Sequence, residues 1–158
     1  MILYRLRSLL STVLVSERGV YMNIMLKVDG DGKVTRFWTY IGSSYGERGL
    51  KSRVGDHLSP SYRLRNSCHH YDVMAKEGVQ SFFVSLLRFP GRDVVPFSSV
   101  ILAETVCAML FGGYDTIPFR TQRATLIPDA LPDASSANRS NPLLSDDAMK
   151  SRYISRNP

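Results

Sequence analysis

Five side chains whose chemistry suits phosphodiester cleavage occur in order along this chain. Two phenols come first, a guanidinium and an imidazole follow four residues apart, and a carboxylate comes last; they are Tyr21, Tyr40, Arg53, His57 and Glu104. An arginine can neutralise a phosphate, a carboxylate can hold a divalent cation, and a tyrosine or a histidine can transfer a proton. Together these groups could hydrolyse a phosphodiester bond, provided that the fold brings them to one place.

A β-hairpin is predicted to carry the two tyrosines. Apolar and polar residues alternate over 20–28 with the period of a half-buried strand, a turn rich in Asp and Gly covers 29–32, and β-forming residues dominate 33–42. Because side chains alternate between the two faces of a sheet, the pairing register decides how Tyr21 and Tyr40 meet.

The register depends on which two residues form the hairpin loop. With Gly30 and Asp31 in the loop, Tyr21 lies directly opposite Tyr40, and this is the pairing that we expect. A loop one residue earlier or later shifts the pairing by two residues and makes the tyrosines diagonal neighbours on the same face. Each of these registers places the two phenols side by side.

A helix over 50–58 is predicted to supply the arginine and the histidine. Its apolar residues recur at spacings of three and four, and Arg53 and His57 belong to the same stripe. Three further elements are predicted, namely a helix over 70–77, a central strand over 80–89 and a helix over 97–111. This order predicts an α/β domain in which helices pack on a small sheet.

One charge, Glu104, lies inside the longest apolar run of the chain, 94–111. A bare carboxylate in apolar surroundings is costly, so it needs a cation or strong hydrogen bonds. The run is long enough to be considered as a membrane span, but Pro96 and the central carboxylate favour one buried core helix. We therefore expect no membrane partner, and either a divalent metal or Arg53 beside Glu104.

The composition is that of one globular domain with extensions. The chain has 158 residues, 44% of them apolar, and a formal net charge of +6. A basic protein attracts polyanions, although many basic proteins bind no nucleic acid. The two cysteines, Cys68 and Cys107, are too few for a disulfide framework and favour an intracellular location.

Three zones differ in composition. Residues 1–18 form an extension whose first sixteen residues contain arginines and serines but no acid, as in an organelle targeting segment; a helix or strand packed on the domain is the alternative. Residues 19–114 are dense in apolar side chains and are the predicted domain. Residues 115–158 are rich in Pro, Ser, Asn and Asp, and we predict a low-order tail there.

Each candidate side chain also has a plain structural role open to it. Tyr21 and Tyr40 could simply pack across the hairpin, and His57 could be a half-buried histidine with one hydrogen bond. Glu104 could face solvent or form an ordinary ion pair with Arg53. The order in which all five occur is what favours a common site.

A second cluster of metal-ligating residue types occurs between the predicted helices. It consists of Cys68, His69, His70 and Asp72. The spacing matches no standard zinc site, and a second ligand pair is missing. We therefore favour a surface loop for these residues.

The candidate residues resemble the motifs of the GIY-YIG endonuclease superfamily. Four segments carry the resemblance: Gly19-Val20-Tyr21, Tyr40-Ile41-Gly42, 50–58 with Arg53 and His57, and Leu102-Ala103-Glu104. The two tripeptides are similar to the first and the second motif of the superfamily. The segment 50–58 is similar to its helix, which has an arginine and, four residues later, a histidine or a tyrosine, and the last segment is similar to the one with the metal-binding glutamate. The resemblance covers about residues 19–114 and implies a central three-stranded antiparallel sheet, made of the N-terminal hairpin and one more strand and flanked by helices.

The chain also departs from the motifs of that superfamily. The two tripeptides are further apart than is common, and 46–49 resembles an insertion before the helix. Many members have an asparagine after the glutamate, and none lies in the matching region here, since Asn138 and Asn141 belong to the predicted tail. The role of that asparagine therefore stays unassigned.

The resemblance implies hydrolysis of DNA with the help of one divalent metal, Mg²⁺ or Mn²⁺. Glu104 would hold the metal and Arg53 would neutralise the scissile phosphate. Either Tyr21 or His57 would be the base, while Tyr40 and His57 orient water and phosphate. A specific duplex, a flapped DNA and a branched DNA are all open as substrates, and the nucleus or cytoplasm is expected, with the mitochondrion as an alternative.

Two other functions remain open on the sequence. One is a nucleic-acid-binding module on the same fold that has lost most of its catalytic activity. The other is a basic α/β interaction domain in which the motifs match by chance. An active site requires the five side chains to converge, and a scattered arrangement would favour the last of these.

Overall fold

A sheet with helices packed beside it makes up the part of the chain that the computed structural model describes, residues 17–90, 95–111, 113 and 135–138. The elements in chain order are β1 (Arg18–Val28), β2 (Val34–Ser44), α1 (Gly49–Leu58), α2 (Pro60–Arg65), α3 (His69–Met74), β3 (Val79–Phe89), α4 (Phe97–Leu110) and β4 (Ser135–Ser136). The α/β class expected from the sequence is confirmed. None of the helices in these residues is both long and apolar enough to cross a bilayer.

The sheet has the strand order β3-β1-β2-β4, with β1 in the interior. β1 pairs with β2 and with β3 in antiparallel fashion, as the resemblance implied. The prediction of three antiparallel strands is wrong in one respect, because β4 adds a fourth strand parallel to β2. Two serines have no alternating apolar pattern, so no local signal marked them as a strand.

The hairpin adopts the shifted register, in which Tyr21 lies opposite Gly42 and Asn23 lies opposite Tyr40. The expected direct pairing of the two tyrosines is therefore wrong, while their diagonal placement on one face is confirmed. Two features produce this register: Asp29 pairs with Lys33 across the turn, through a hydrogen bond from the Asp29 N–H to the Lys33 carbonyl, and an irregularity between Lys27 and Val28 then shifts the pairing by one residue. The Asp29 carboxylate stabilises this turn, because it accepts hydrogen bonds from the backbone N–H groups of Asp31 and Lys33.

β1 and β3 approach closely at Gly19. A Cβ atom at this position would lie 2.2 Å from the carbonyl oxygen of Leu87, so any larger residue would push the two strands apart. The β1–β3 register shifts one step further on, between Val20 and Tyr21. Such an irregularity increases the local twist and re-aims the neighbouring side chain, which here is Tyr21.

The predicted helices and the strand predicted over 80–89 are observed close to their expected bounds. The central position expected for that strand is wrong, because β3 stands at one end of the strand order, beside β1. The helix expected over 50–58 is α1, the strand over 80–89 is β3, and the helix over 97–111 is α4. The helix expected over 70–77 is the shorter α3, and α2 was not predicted. α2 begins at Pro60, after Ser59, whose hydroxyl accepts a hydrogen bond from the backbone N–H of Tyr62. Such a start is a common one for a helix.

Buried side chains lie on both faces of the sheet. On one face, Tyr21 packs with Leu50 and Val54 of α1 and with Phe83 of β3. On the other face, a cluster joins β1 and β2 to α4; it consists of Val20, Ile41, Cys107 and Ala108. The middle residue of each tripeptide motif is thus a core residue, while its tyrosine faces α1.

Candidate active site

The Tyr21 hydroxyl begins a buried hydrogen-bonded chain that passes through His57. Its oxygen is 2.5 Å from Nε2 of His57, and Nδ1 of His57 is 2.8 Å from the hydroxyl oxygen of Tyr71. Tyr21 is fully buried, and His57 is 1% exposed. The β-hairpin supplies the first phenol, α1 supplies the imidazole, and α3 supplies the second phenol.

The space for the Tyr21 ring exists because the residue opposite it is a glycine. A Cβ atom at Gly42 would lie 2.5 Å from the Tyr21 hydroxyl oxygen and 2.8 Å from the ring carbon that carries it. It would also lie 2.9 Å from a ring carbon of Tyr40. The glycine of the second tripeptide therefore lets both phenols pack over the strand at this point.

Tyr40 is held by an aromatic stack on its other side. Its ring lies flat against the His70 imidazole, with 3.8 Å between centroids and 1° between planes. Asn23 in turn donates a hydrogen bond from Nδ2 to Nε2 of His70, at 2.9 Å. Tyr40 and Tyr21 are neighbours, with ring centroids 6.2 Å apart.

The favoured surface-loop interpretation of 68–72 is wrong for most of this segment. α3 begins at His69, and His70 is 1% exposed because it packs against Tyr40. Among the described residues, no group of three or more His, Cys, Asp or Glu is arranged to hold a metal ion. His70 and Tyr71 thus contribute to the candidate site through packing and hydrogen bonding.

Arg53 supplies the positive charge of the cluster. Its guanidinium donates a hydrogen bond from Nη1 to the Tyr62 hydroxyl at 2.9 Å, which ties it to α2. Burial by itself would lower the pKa of Arg53, but the phenols of Tyr21 and Tyr40 raise it above its ordinary value. The side chain therefore carries a full positive charge beside the two phenols.

Both buried imidazoles are neutral at physiological pH. Burial, followed by the positive charge of Arg53, lowers the pKa of His57 to about 2. The same two causes, in the same order, lower the pKa of His70 to about 3. A neutral imidazole has one nitrogen that donates and one that accepts, so the partners of each ring select its tautomer.

The phenols of Tyr21 and Tyr40 are both protonated at physiological pH. Burial is the main cause that raises the pKa of Tyr21 well above its ordinary value, and burial likewise raises the pKa of Tyr40 to about 12. Arg53 opposes the rise at both residues, whereas the negative charge of Glu104 adds to it. The Glu104 effect means that a cation bound at Glu104 would lower the pKa of both phenols.

Glu104 comes from α4 and lies beside the end of β2. Its Oε2 accepts a hydrogen bond from the Ser43 hydroxyl at 2.5 Å. Burial raises the pKa of Glu104, while the Ser43 hydrogen bond and the charge of Arg53 lower it. A carboxylate next to a hydroxyl is a hard-oxygen donor set that suits Mg²⁺ or Mn²⁺, with water filling the other positions.

Asn138 approaches the second tripeptide from 97 residues away. Its Nδ2 donates to the Ile41 carbonyl at 2.7 Å, and its Oδ1 accepts from the Ile41 N–H at 2.9 Å. The side-chain amide thus pairs with β2 as a strand residue would. Asn138 was left without a role on the sequence, and no local pattern links it to Ile41.

Four of the five predicted residues form one cluster, and the fifth acts on it. Tyr21, Tyr40 and His57 have rings in mutual contact, and the charge of Arg53 acts on all three. Glu104 interacts electrostatically with both phenols from α4. The residues that sequence reasoning missed at the site are Asn23, Tyr62, His70, Tyr71 and Asn138.

Comparison of the chain with protein-family models, with curated proteins and with solved structures finds no match.

Proposed function

We propose that this protein is an endonuclease of the GIY-YIG type, which hydrolyses phosphodiester bonds of DNA with the help of a divalent metal. The observation that carries the proposal is the contact between the Tyr21 hydroxyl and Nε2 of His57, within reach of the charge of Arg53. Packing alone requires neither a proton-transferring pair nor an arginine beside it. A tyrosine and a histidine in hydrogen-bond contact, with an arginine beside them, suit the hydrolysis of an anionic substrate.

Arg53 is the group that would bind the scissile phosphate. A planar guanidinium can donate two hydrogen bonds to phosphate oxygens, and it stabilises the charge that builds up as water attacks. Tyr62 holds it through one nitrogen, which leaves other N–H groups for a ligand. Arg63 lies close enough to act on His70, so α2 adds a second positive charge near the site.

Tyr21 is the better of the two candidate bases. With a pKa of about 2, the His57 imidazole takes up a proton poorly, and both of its ring nitrogens already have phenol partners. Tyr21 can accept a proton from water only as a phenolate, so its pKa decides whether it can act as the base. Arg53 lowers the pKa of Tyr21, and neutralising Glu104 would lower it further.

Glu104 would hold the metal. A bound Mg²⁺ or Mn²⁺ supplies polarisation of the phosphate and stabilisation of the leaving oxygen. Ser43 orients the carboxylate through the hydrogen bond to Oε2. The proposed partner is DNA, in keeping with the net charge of +6, and a flapped or branched form of DNA and an intracellular location stay predictions.

The proposal is tested by nicking of a supercoiled plasmid in the presence of Mg²⁺. We expect Tyr21→Phe and Glu104→Gln each to lower the nicking rate by at least about 10²-fold, because each removes a group that acts on the reacting atoms. Tyr45→Phe and Glu47→Gln are the matched controls, since they make the same chemical changes outside the cluster. Both controls should nick at the wild-type rate.

The outcomes separate the functions that the sequence left open. Wild-type rates in both Tyr21→Phe and Glu104→Gln would show that the catalytic assignment is wrong. A wild-type protein that binds DNA at low salt but does not nick it with Mg²⁺ or Mn²⁺ would be a binding module. Absence of both binding and nicking would favour an interaction domain.

A further inference from the structure

Tyr71 occupies the far end of the hydrogen-bonded chain that begins at Tyr21. Its hydroxyl is 2.8 Å from Nδ1 of His57, whose Nε2 is 2.5 Å from the Tyr21 hydroxyl. Tyr71 is 7% exposed and comes from α3, whereas His57 comes from α1. A third residue thus orients the imidazole that contacts the proposed base.

We propose that Tyr71 is a positioning residue that sets the tautomer of His57. Its hydroxyl donates to Nδ1, which keeps the imidazole hydrogen on Nε2, and Nε2 then donates to the Tyr21 oxygen. This inference rests on the proposed nuclease function for its kinetic meaning, but the hydrogen-bond arrangement itself is independent of it. No bond to Tyr71 or His57 forms or breaks during the reaction.

The alternative arrangement reverses every donor in the chain. Tyr21 would donate to Nε2, the hydrogen would lie on Nδ1, and Nδ1 would donate to the Tyr71 oxygen. The hydroxyl hydrogen of Tyr71 would then need a second acceptor. Within the described part of the chain, Nδ1 of His57 is the acceptor at hydrogen-bond distance from Tyr71.

The proposed arrangement gives both phenol hydrogens an acceptor. Tyr71 donates to Nδ1 of His57, and the Tyr21 hydroxyl can donate to its neighbour Tyr40, whose pKa is raised by burial and in part lowered again by Tyr21. A buried hydroxyl hydrogen without an acceptor costs about 1–3 kcal/mol, which disfavours the reversed chain. The neutral state of His57 makes this a choice between two tautomers.

The consequence for chemistry lies in the deprotonated form of Tyr21. With hydrogen on Nε2, the Tyr21 phenolate accepts a hydrogen bond from His57 beside the positive charge of Arg53. With hydrogen on Nδ1, the lone pair of Nε2 would face the phenolate and disfavour it. Tyr71 therefore favours the form of Tyr21 that can take a proton from water.

Several titratable or charged groups face Tyr21 and have to be held constant in a test. They are Tyr40 on β2, Arg53 and His57 on α1, and Glu104 on α4, with His70 and Tyr71 on α3 behind His57. The substitution Tyr71→Phe keeps the ring and all of these groups. It removes only the hydroxyl that contacts Nδ1.

The first test is the tautomer of His57, read from ¹⁵N–¹H correlation spectra of the imidazole groups in the substrate-free protein. The chain has three histidines, so spectra of His69→Gln and His70→Gln assign the signals. We expect hydrogen on Nε2 of His57 in the wild type and a shift toward Nδ1 in Tyr71→Phe. Tyr45→Phe is the matched control and should leave the tautomer unchanged.

The second test is the pH dependence of Mg²⁺-dependent nicking. Loss of one hydrogen bond to the phenolate should move the rising limb of the rate profile of Tyr71→Phe to higher pH by about one unit, which is roughly a tenfold lower rate below that limb. A residue with only a structural role would lower the rate without moving the limb. Tyr45→Phe should again behave as the wild type.

The outcomes distinguish this inference from the proposed function. Hydrogen on Nδ1 of His57 in the wild type would overturn the inference whether or not the protein cleaves DNA, and this result does not depend on the Tyr71→Phe variant. If the tautomer of His57 changes in Tyr71→Phe but the rising limb of the pH–rate profile stays at the wild-type pH, the proposed effect of Tyr71 on the deprotonation of Tyr21 is overturned. Absence of nicking in the wild type would overturn the proposed function, while hydrogen on Nε2 would still support the role of Tyr71 in setting the tautomer.

Discussion

At the scale of single residues, the site depends on a glycine as much as on its reactive side chains. The Tyr21 phenol lies above Gly42, in the volume that a Cβ atom would take. A glycine in the middle of a sheet weakens the strand, so its presence here is explained by the ring that packs over it. The tripeptide motifs therefore have a steric basis in this chain that is independent of any resemblance.

Gly42→Ala should displace the Tyr21 ring. The added Cβ would lie 2.5 Å from the phenol oxygen, and relieving such a contact costs about 1–3 kcal/mol of stability. We expect a lower urea midpoint and a large loss of nicking, because the displaced phenol breaks its contact with His57. The matched control is Gly55→Ala on α1, where nothing lies within 4 Å of the added atom.

Gly55→Ala should act in the opposite direction. Alanine in a helix is more stable than glycine by about 0.5–1 kcal/mol, so this variant should unfold at higher urea with unchanged nicking. Equal effects of the two alanines would contradict the steric role of Gly42. Equilibrium unfolding followed by circular dichroism measures both.

At the scale of elements, the short strand β4 fastens the edge of the sheet beside the second tripeptide. Asn138 exchanges two hydrogen bonds with the backbone of Ile41, and the Ala137 N–H donates to the Thr39 carbonyl. Ile41 itself packs under α4, the helix that carries Glu104. The β4 segment therefore holds the part of β2 that packs against the helix with the proposed metal ligand.

Asn138→Ala should destabilise the protein by about 1–3 kcal/mol, because it removes two hydrogen bonds from a half-buried amide. Asn138→Asp is the matched variant, since it keeps an acceptor for the Ile41 N–H and loses the donor to the Ile41 carbonyl. We expect Asn138→Asp to be at least as destabilised, because a carboxylate oxygen then faces a carbonyl oxygen. Urea unfolding of the two variants measures both effects, and wild-type stability in both would show that β4 is not fastened in this way.

Two short helices bring groups to the site that the longer elements lack. α2 contributes Tyr62, which holds Arg53, and α3 contributes His70 and Tyr71, which hold Tyr40 and His57. Each helix has six residues, too few for a periodic apolar stripe. This is why their side chains could not be assigned to the site from the sequence.

At the scale of the whole molecule, two buried neutral imidazoles link folding to pH. The pKa of His57 is lowered to about 2 and that of His70 to about 3 from an ordinary value of 6.5. Above pH 6.5 neither the folded nor the unfolded chain protonates them. As the pH falls below 6.5, the unfolded chain binds these protons and the folded chain does not, so the free energy of unfolding decreases.

We therefore expect stability to fall from pH 7 toward pH 5 by up to about 1.4 kcal/mol per pH unit for each buried histidine. His70→Gln should reduce this slope by about half, whereas His69→Gln keeps both buried imidazoles and should retain it. Burial raises the pKa of Glu104, so the protonation of this carboxyl group increases the free energy of unfolding as the pH falls. Variants are therefore compared at the same pH. An unchanged slope in His70→Gln would contradict the buried neutral state.

The sequence by itself determined the groups that share a face. A spacing of four put Arg53 and His57 on one stripe of α1, because this relation follows from the geometry of a single helix. A period of two in each strand put Tyr21 and Tyr40 on one side of the hairpin for each of the loops considered. It also predicted the α/β class and the existence of the strand over 80–89, which depend on long apolar patterns, but not the place of that strand at one end of the sheet.

Only the tertiary structure decided the register and the contacts between distant segments. The turn after Asp29 and the register irregularity between Lys27 and Val28 together produced the diagonal pairing. The approach of Asn138 to Ile41 joins residues 97 positions apart. The same holds for Tyr71 behind His57 and for Glu104 beside Ser43. Such contacts arise from the packing of whole elements, and no local periodicity of the chain encodes them.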